Sequence, residues 1–167
     1  MSFVGHLFGY VCASDHVWEL GGAVLPFCQR CTGLYVGGFA ALVAYVVLRP
    51  RVSSALIWLH GTLLVGMIPF GYHWVSQTGS VRTATGFVFA CGIVYYCSLL
   101  PLRRFRGRPR DDGRMAFSLL FASLVALLAA VSYGGSATAA VISILGVLGL
   151  MSFVALVSAS AWYLVRP

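Results

Sequence analysis

Three cysteines and a histidine near the N-terminus have the residue types and spacing of a metal site. Cys12 and His16 are separated by three residues, and Cys28 and Cys31 by two. The second pair opens an apolar run, so both sulfurs would lie on one face of the helix that this run predicts. A helix N-terminus favours the thiolate, which is the form of cysteine that binds metals and attacks disulfides. The four residues match a tetrahedral structural site, with zinc or iron as the expected metal.

Two other interpretations of the same cysteines remain open. On an oxidising face of a membrane, Cys12 could pair with Cys28 or Cys31 in a disulfide. A redox-active Cys28–Cys31 pair would instead make the protein a thiol–disulfide enzyme. The simplest alternative is that these are small apolar residues in a helix cap. The sequence assigns no catalytic residue and does not decide whether the protein is an enzyme.

Further polar residues surround the cysteines in the regions predicted to be outside the membrane. His73 is a substitute metal ligand, because a histidine can take the place of a carboxylate. We expect two arginines either to bind an anionic group or to form ion pairs with two carboxylates. The arginines are Arg30 and Arg82, and the carboxylates are Asp15 and Glu19.

The composition requires lipid as the solvent for most of the chain. Hydrophobic residues make up 60% and charged residues only 9%, whereas soluble domains carry about a quarter charged residues. Runs of about 20 apolar residues predict an all-α bundle of transmembrane helices. We predict five spans, at residues 32–48, 53–72, 83–102, 115–133 and 138–165. The turn Gly134-Gly135-Ser136 predicts a tight hairpin between the last two spans.

The arginines predict the orientation. Nine of them lie in the loop between spans one and two, the loop between spans three and four, and the C-terminal tail. Five spans place these segments on one side, which the positive-inside rule makes cytoplasmic. The N-terminus is then outside a multi-pass plasma-membrane protein. No cleavable signal peptide is expected, because the first twelve residues lack a basic segment.

The charge pattern also limits which classes of binding partner are expected. The net charge of +7 does not indicate nucleic acid, since it sits in short loops between apolar runs. Membrane lipids are the expected partners, with a homo-oligomer or a larger membrane complex as further candidates. One membrane domain is predicted, with an outer Cys/His segment (1–31), a three-span core (32–102), a basic loop (103–114) and a two-span hairpin (115–167). The two helices of that hairpin carry few ionisable side chains. This also fits a non-catalytic accessory subunit.

Inside the predicted spans, few residues indicate chemistry. His60 is a candidate because ionisable residues in a membrane are costly, whereas Cys91 and Cys97 are interpreted as packing. No Asp, Glu or Lys lies in any predicted span, which disfavours a proton-coupled transporter. Two small-x3-small pairs, Gly33–Gly37 and Gly86–Ala90, predict that spans one and three approach closely.

The run from Leu25 to Gly37 resembles the signature of a small prokaryotic membrane-protein family, domain-of-unknown-function family 2085. Its pattern is Pro-x-Cys-x-Arg-Cys-x-Gly-x-Tyr-x-Gly, and every fixed position is filled in Pro26-Phe27-Cys28-Gln29-Arg30-Cys31-Thr32-Gly33-Leu34-Tyr35-Val36-Gly37. The segment from Pro69 to Gly86 resembles a second family element, which has a proline, an aspartate, a polar stretch and then Arg-x-x-Thr-Gly. The chain departs from the family at His16, where the family has an adjacent Cys-His, and at His73, where it has an aspartate. The resemblance covers residues 7–100 and implies a membrane protein, with no activity to carry over.

Overall fold

The computed structural model describes residues 16–72, 74–99 and 113–165. They form two strands, β1 (Val17–Leu20) and β2 (Ala23–Cys28), and six helices. The helices are α1 (Gln29–Leu48), α2 (Ser54–Gly66), α3 (Ile68–Gly71), α4 (Gly79–Ser98), α5 (Arg114–Tyr133) and α6 (Ser136–Val165). The predicted ligands Cys12 and His73, the carboxylate Asp15 and nearly all of the basic loop 103–114 lie outside the described residues.

The prediction of an all-α fold is wrong for the segment before α1, which is an antiparallel β-hairpin. Gly21 and Gly22 form its turn with φ of 56° and 79°, a left-handed conformation that glycine adopts without steric cost. Along β2, Leu25 and Phe27 are buried while Val24 is 61% exposed. This alternation gives the hairpin one face that packs on the helices and one that faces away.

In the part of the chain that the structure describes, three helices are long and apolar enough to cross a membrane: Gln29–Leu48, Arg114–Tyr133 and Ser136–Tyr163. They coincide with predicted spans one, four and five. The turn between α5 and α6 is confirmed, since only Gly134 and Gly135 separate the two helices. The predicted second span is interrupted, because α2 ends at Gly66 and a separate short helix, α3, begins at Ile68 with Pro69 in its first turn. Proline has no N–H to continue the hydrogen-bond ladder of a helix.

The α1–α4 pair forms the centre of the bundle. A Cβ at Gly33 would overlap the Thr83 carbonyl oxygen, and a Cβ at Gly86 would overlap the Arg30 carbonyl oxygen. The prediction that small residues bring these helices together is therefore confirmed. Helix α4 begins at Gly79, four residues before the predicted start, so these contacts lie in its first two turns.

Segments predicted to be on the same side of the membrane lie at the same end of the bundle. At one end the hairpin turn meets the α5–α6 turn, where a Cβ on Gly21 would come within 2.8 Å of the Ser136 nitrogen. At the other end, Gly113 before α5 lies against Leu56 at the start of α2. We call these ends the outer and the inner end, after the predicted topology.

Candidate functional site

The hairpin and the first turn of α1 position the two described cysteines of the predicted metal site. Cys28 is the N-cap residue of α1, and its sulfur accepts a hydrogen bond from the backbone N–H of Cys31 at 3.5 Å. Such a contact satisfies one of the N–H groups that have no partner within the helix. Both cysteines are half-buried at the outer end. The predicted placement of this pair on a helix N-terminus is confirmed.

The hairpin also brings His16 beside this turn. The His16 carbonyl oxygen accepts a hydrogen bond from the backbone N–H of Gln29 at 2.8 Å, and Val17 pairs with Cys28 across the sheet. The His16 side chain is exposed. Within residues 16–72, 74–99 and 113–165, no three His, Cys, Asp or Glu side chains are grouped so as to hold a metal. The four-ligand site remains a prediction, because Cys12 is outside the described residues.

Arg30 connects α1 to α3 and to the segment between α3 and α4. Its Nη2 donates to the Phe70 carbonyl oxygen at 2.9 Å and to the Gln77 Oε1 at 2.9 Å. The Gln77 Nε2 donates to the same carbonyl at 2.7 Å. The three groups form a closed triangle that ties this outer segment to the first turn of α1. Arg30 was predicted to fix the outer loops. Within the described residues it does so by hydrogen bonds to neutral oxygen atoms and not by an ion pair with a carboxylate.

Of the two carboxylates predicted to pair with the arginines, Glu19 lies in the described residues. Glu19 is exposed on β1, and Arg82 is half-buried in the first turn of α4. The Arg82 backbone N–H donates to the Thr78 carbonyl oxygen at 2.9 Å. Ion pairing through Asp15 lies outside the described residues and stays a prediction.

Thr83 joins the hairpin, α1 and α4 at one buried hydroxyl. It accepts a hydrogen bond from the Trp18 Nε1 at 3.0 Å. Its own hydrogen faces two carbonyl oxygens, that of Gln29 at 2.9 Å and that of Gly79 at 3.0 Å. Thr83 has no exposed surface. Three elements thus meet at one oxygen, which fixes the hairpin over the α1–α4 crossing.

A cavity of about 290 Å³ opens beside Arg30 between α1, α4 and the α2–α3 segment. Arg30, Cys31 and Thr85 supply its polar lining. The rest of the lining is apolar or aromatic, apart from one glycine: Leu34, Leu64, Met67, Ile68, Phe70, Tyr72, Gly86 and Phe89. Pockets with few polar groups in an apolar wall are typical of small-molecule sites.

A second polar cluster lies toward the inner end, around His60. The Tyr45 hydroxyl is 2.8 Å from the His60 Nε2, and the His60 Nδ1 is 2.8 Å from the Leu56 carbonyl oxygen. Because a carbonyl oxygen only accepts, Nδ1 carries a hydrogen, and in the neutral ring Nε2 accepts from Tyr45. The Tyr95 ring stacks on the imidazole with centroids 4.1 Å apart. His60, singled out from the sequence, is therefore a buried and hydrogen-bonded residue.

The cysteines of the third predicted span lie in α4, as expected. Cys91 is buried in the hydrophobic core. Cys97 is half-buried, and its carbonyl oxygen accepts a hydrogen bond from the Ser160 hydroxyl of α6 at 2.8 Å. Both positions agree with the interpretation of these residues as packing.

The comparison with protein families is decisive for the class of the protein. Residues 12–96 match the family described as predicted membrane protein (DUF2085). The match covers 85 of the 167 residues, just over half of the chain. The chain belongs to this family. No curated protein and no solved structure matches it.

The DUF2085 match contains the whole outer site and the His60 cluster. It covers the hairpin and the helices α1 to α3, and it ends within α4 at residue 96. Helices α5 and α6 lie beyond it. The residues expected from the resemblance, 7–100, contain the matched range.

Sequence analysis missed Trp18, Tyr45 and Tyr95. A signal for Trp18 was present, because two short runs of strand-forming residues flank Gly21-Gly22, which is typical of a β-hairpin. Tyr45 and Tyr95 looked like ordinary aromatic residues in apolar helices. Only the packing of α1, α2 and α4 shows that both meet His60.

Proposed function

We propose that this membrane protein carries a thiol centre on the outer face of the plasma membrane. In this proposal Cys12, His16, Cys28 and Cys31 bind one zinc or iron ion, with His73 as a substitute ligand. The alternative is that the same sulfur atoms form a disulfide, between Cys12 and either Cys28 or Cys31. Arg30 and Arg82 bind an anionic group or a carboxylate beside this centre.

The observation that carries the proposal is the hairpin register. It holds the His16 backbone against Gln29, next to Cys28, and Cys28 in turn caps the helix turn that ends at Cys31. The His16 backbone thus lies beside the Cys28–Cys31 turn, although His16 and Cys31 are fifteen positions apart, and within the described residues the three side chains are not grouped so as to hold a metal. A closed structural site needs four ligands, and Cys12 precedes His16 by four positions.

Metal analysis of the purified full-length protein tests the proposal. Protein prepared without chelator should contain about one zinc or iron per chain, and Cys28→Ser should lose it while Cys91→Ser retains it. A disulfide instead predicts no stoichiometric metal and two fewer reactive thiols than the five cysteines allow. If no metal is bound and all five thiols react in unfolded, unreduced protein, the thiol-centre proposal is wrong.

The proposed topology has five spans with the N-terminus outside. Support comes from the grouping of the predicted outer segments at one end of the bundle. After mild reduction and metal removal, a membrane-impermeant thiol reagent on intact cells should label the wild type. A variant with Cys12, Cys28 and Cys31 replaced by serine should remain unlabelled. Labelling of the wild type only in permeabilised cells would reverse the orientation.

The second candidate is a non-catalytic accessory subunit of a membrane complex. Helices α5 and α6 favour it, because they lie outside the family match and present exposed apolar side chains such as Phe121 and Met151. Lipid contact explains the same exposure. Native mass measurement after gentle extraction distinguishes the accessory subunit from the thiol-centre protein. An accessory subunit should be found in a complex with stoichiometric partner proteins.

A further inference from the structure

The cavity beside Arg30 combines one cation with an apolar wall. The guanidinium has five N–H donors. The two on Nη2 bond to Phe70 and Gln77, so three remain without an acceptor in the part of the chain that the structure describes. Both acceptors are neutral, so within the described residues no carboxylate compensates the charge of Arg30.

The position of this cation makes an anionic partner favourable. Arg30 is half-buried and lies beside the apolar side chains of the cavity. A cation in such surroundings loses hydration, and a matching anion offsets that loss. Arginine is suited to this because its planar fork binds carboxylate or phosphate oxygens in pairs.

We propose that the cavity binds a single-chain amphiphile with an anionic head group taken from the bilayer. The carboxylate or phosphate head contacts Arg30, and the chain lies against Leu34, Leu64 and Phe89. This gives a ligand class to the anion-binding role proposed for Arg30, and it does not depend on the thiol centre.

Size and exposure support this class of ligand. A volume of about 290 Å³ is at the lower end of small-molecule pockets, which run from roughly 300 to 1,000 Å³. It has room for a head group and part of one chain. The cavity is partly open, and two of its lining residues, Ile68 and Phe89, are 45% and 39% exposed. These exposed apolar residues would let a chain enter sideways from lipid.

Binding to the purified full-length protein in a neutral maltoside detergent tests the proposal, with native mass spectrometry and competition as the readout. Four probes separate the contributions of head and chain. Oleate and lysophosphatidate carry both, oleyl alcohol carries only the chain, and inorganic phosphate only the head. We expect oleate or lysophosphatidate to bind at least tenfold more tightly than oleyl alcohol, and inorganic phosphate not to displace them.

The variants locate the site. Arg30→Gln should reduce binding of the anionic probes to the level of oleyl alcohol. Arg51→Gln removes an exposed arginine between α1 and α2, which does not line the cavity, and should leave binding unchanged. If Arg30→Gln does not fold, Arg30→Lys keeps the charge and should retain weaker binding, and the wild-type comparison of oleate with oleyl alcohol stands without any variant.

Three results would overturn the proposal. The first is equal affinity of the wild type for oleate and oleyl alcohol, and the second is an equal loss of binding in Arg30→Gln and Arg51→Gln. The third is anion binding by Asp15→Asn but not by the wild type, which would make Asp15 the internal partner of Arg30. Metal content measured on the same samples reports separately on the thiol centre.

Discussion

Gly86 of α4 lies against the carbonyl oxygen of Arg30 in α1, and the space between them does not admit a side chain. Gly33 makes the reciprocal contact with the Thr83 carbonyl oxygen. Backbone atoms cannot move aside as a flexible side chain can, so this crossing sets the separation of the two helices that carry the outer site.

We therefore expect Gly86→Ala to destabilise the protein by about 1–3 kcal/mol, the usual cost of overpacking. Thermal unfolding in detergent, followed by circular dichroism, measures the change. Gly66→Ala is the matched control, because no atom lies within 4 Å of its added Cβ and alanine is the better helix former. Equal destabilisation by the two variants would show that the crossing tolerates a wider separation.

Arg30 and Arg82 should differ in their contribution to stability. Arg30→Ala removes two charge-assisted hydrogen bonds that hold the segment between α3 and α4, and we expect a loss of about 1.5–3 kcal/mol. Arg82→Ala should cost less than about 0.5 kcal/mol, as is usual for substitutions away from such networks. Folded yield and unfolding midpoint of both variants check this. Equal loss would mean that Arg82 has a partner of similar strength.

Thr83→Val tests the hydroxyl that joins the hairpin to the helices. Valine has nearly the same shape, but it offers no acceptor to Trp18 and no donor to the two carbonyl oxygens. Leaving such buried groups unsatisfied costs about 1–3 kcal/mol. Thr83→Ser keeps the hydroxyl and should restore most of the stability. A double-mutant cycle with Trp18→Phe should show coupling, and strict additivity would mean that the two side chains do not interact.

The Tyr45–His60 pair should be a stability determinant of the inner end. Tyr45→Phe leaves the His60 Nε2 without this hydrogen-bond donor, and we expect a loss of about 1–3 kcal/mol. Tyr133→Phe is a suitable control, because Tyr133 is 91% exposed. Unfolding midpoints of the two variants in the same detergent make the comparison. A null effect of Tyr45→Phe would show that another group, such as water, satisfies the imidazole.

The long helices could be predicted from the sequence because burial in lipid requires continuous apolar segments. Residues 32–48, 115–133 and 138–165 were predicted as spans, and α1, α5 and α6 occupy nearly those ranges. The interruption of the second span was harder to predict, because a helix that is interrupted near Pro69 has the same apolar composition as a continuous one. The hairpin was not predicted, because its mostly apolar and aromatic residues lead directly into the first membrane span.

At the candidate site, sequence spacing placed Cys28 and Cys31 on one turn and brought Gly33 and Gly86 to a helix contact. It also marked Arg30 as a residue that needs a partner. It could not name Phe70 or Gln77 as that partner, because they are 40 and 47 positions away. Likewise, the cavity beside Arg30 depends on how α2 and α3 pack against α4. Such packing between distant segments cannot be predicted from a local sequence pattern.

The sequence by itself determined that this is a membrane protein, where most of its helices lie, and which residues near the N-terminus could do chemistry. These features follow from composition and from the period of the helix, which act over short distances along the chain. The tertiary structure alone decided that Arg30 bonds to neutral oxygens beside an apolar cavity, that Thr83 joins three elements, and that His60 meets Tyr45. Those contacts arise only when close helix packing brings distant residues within hydrogen-bond distance.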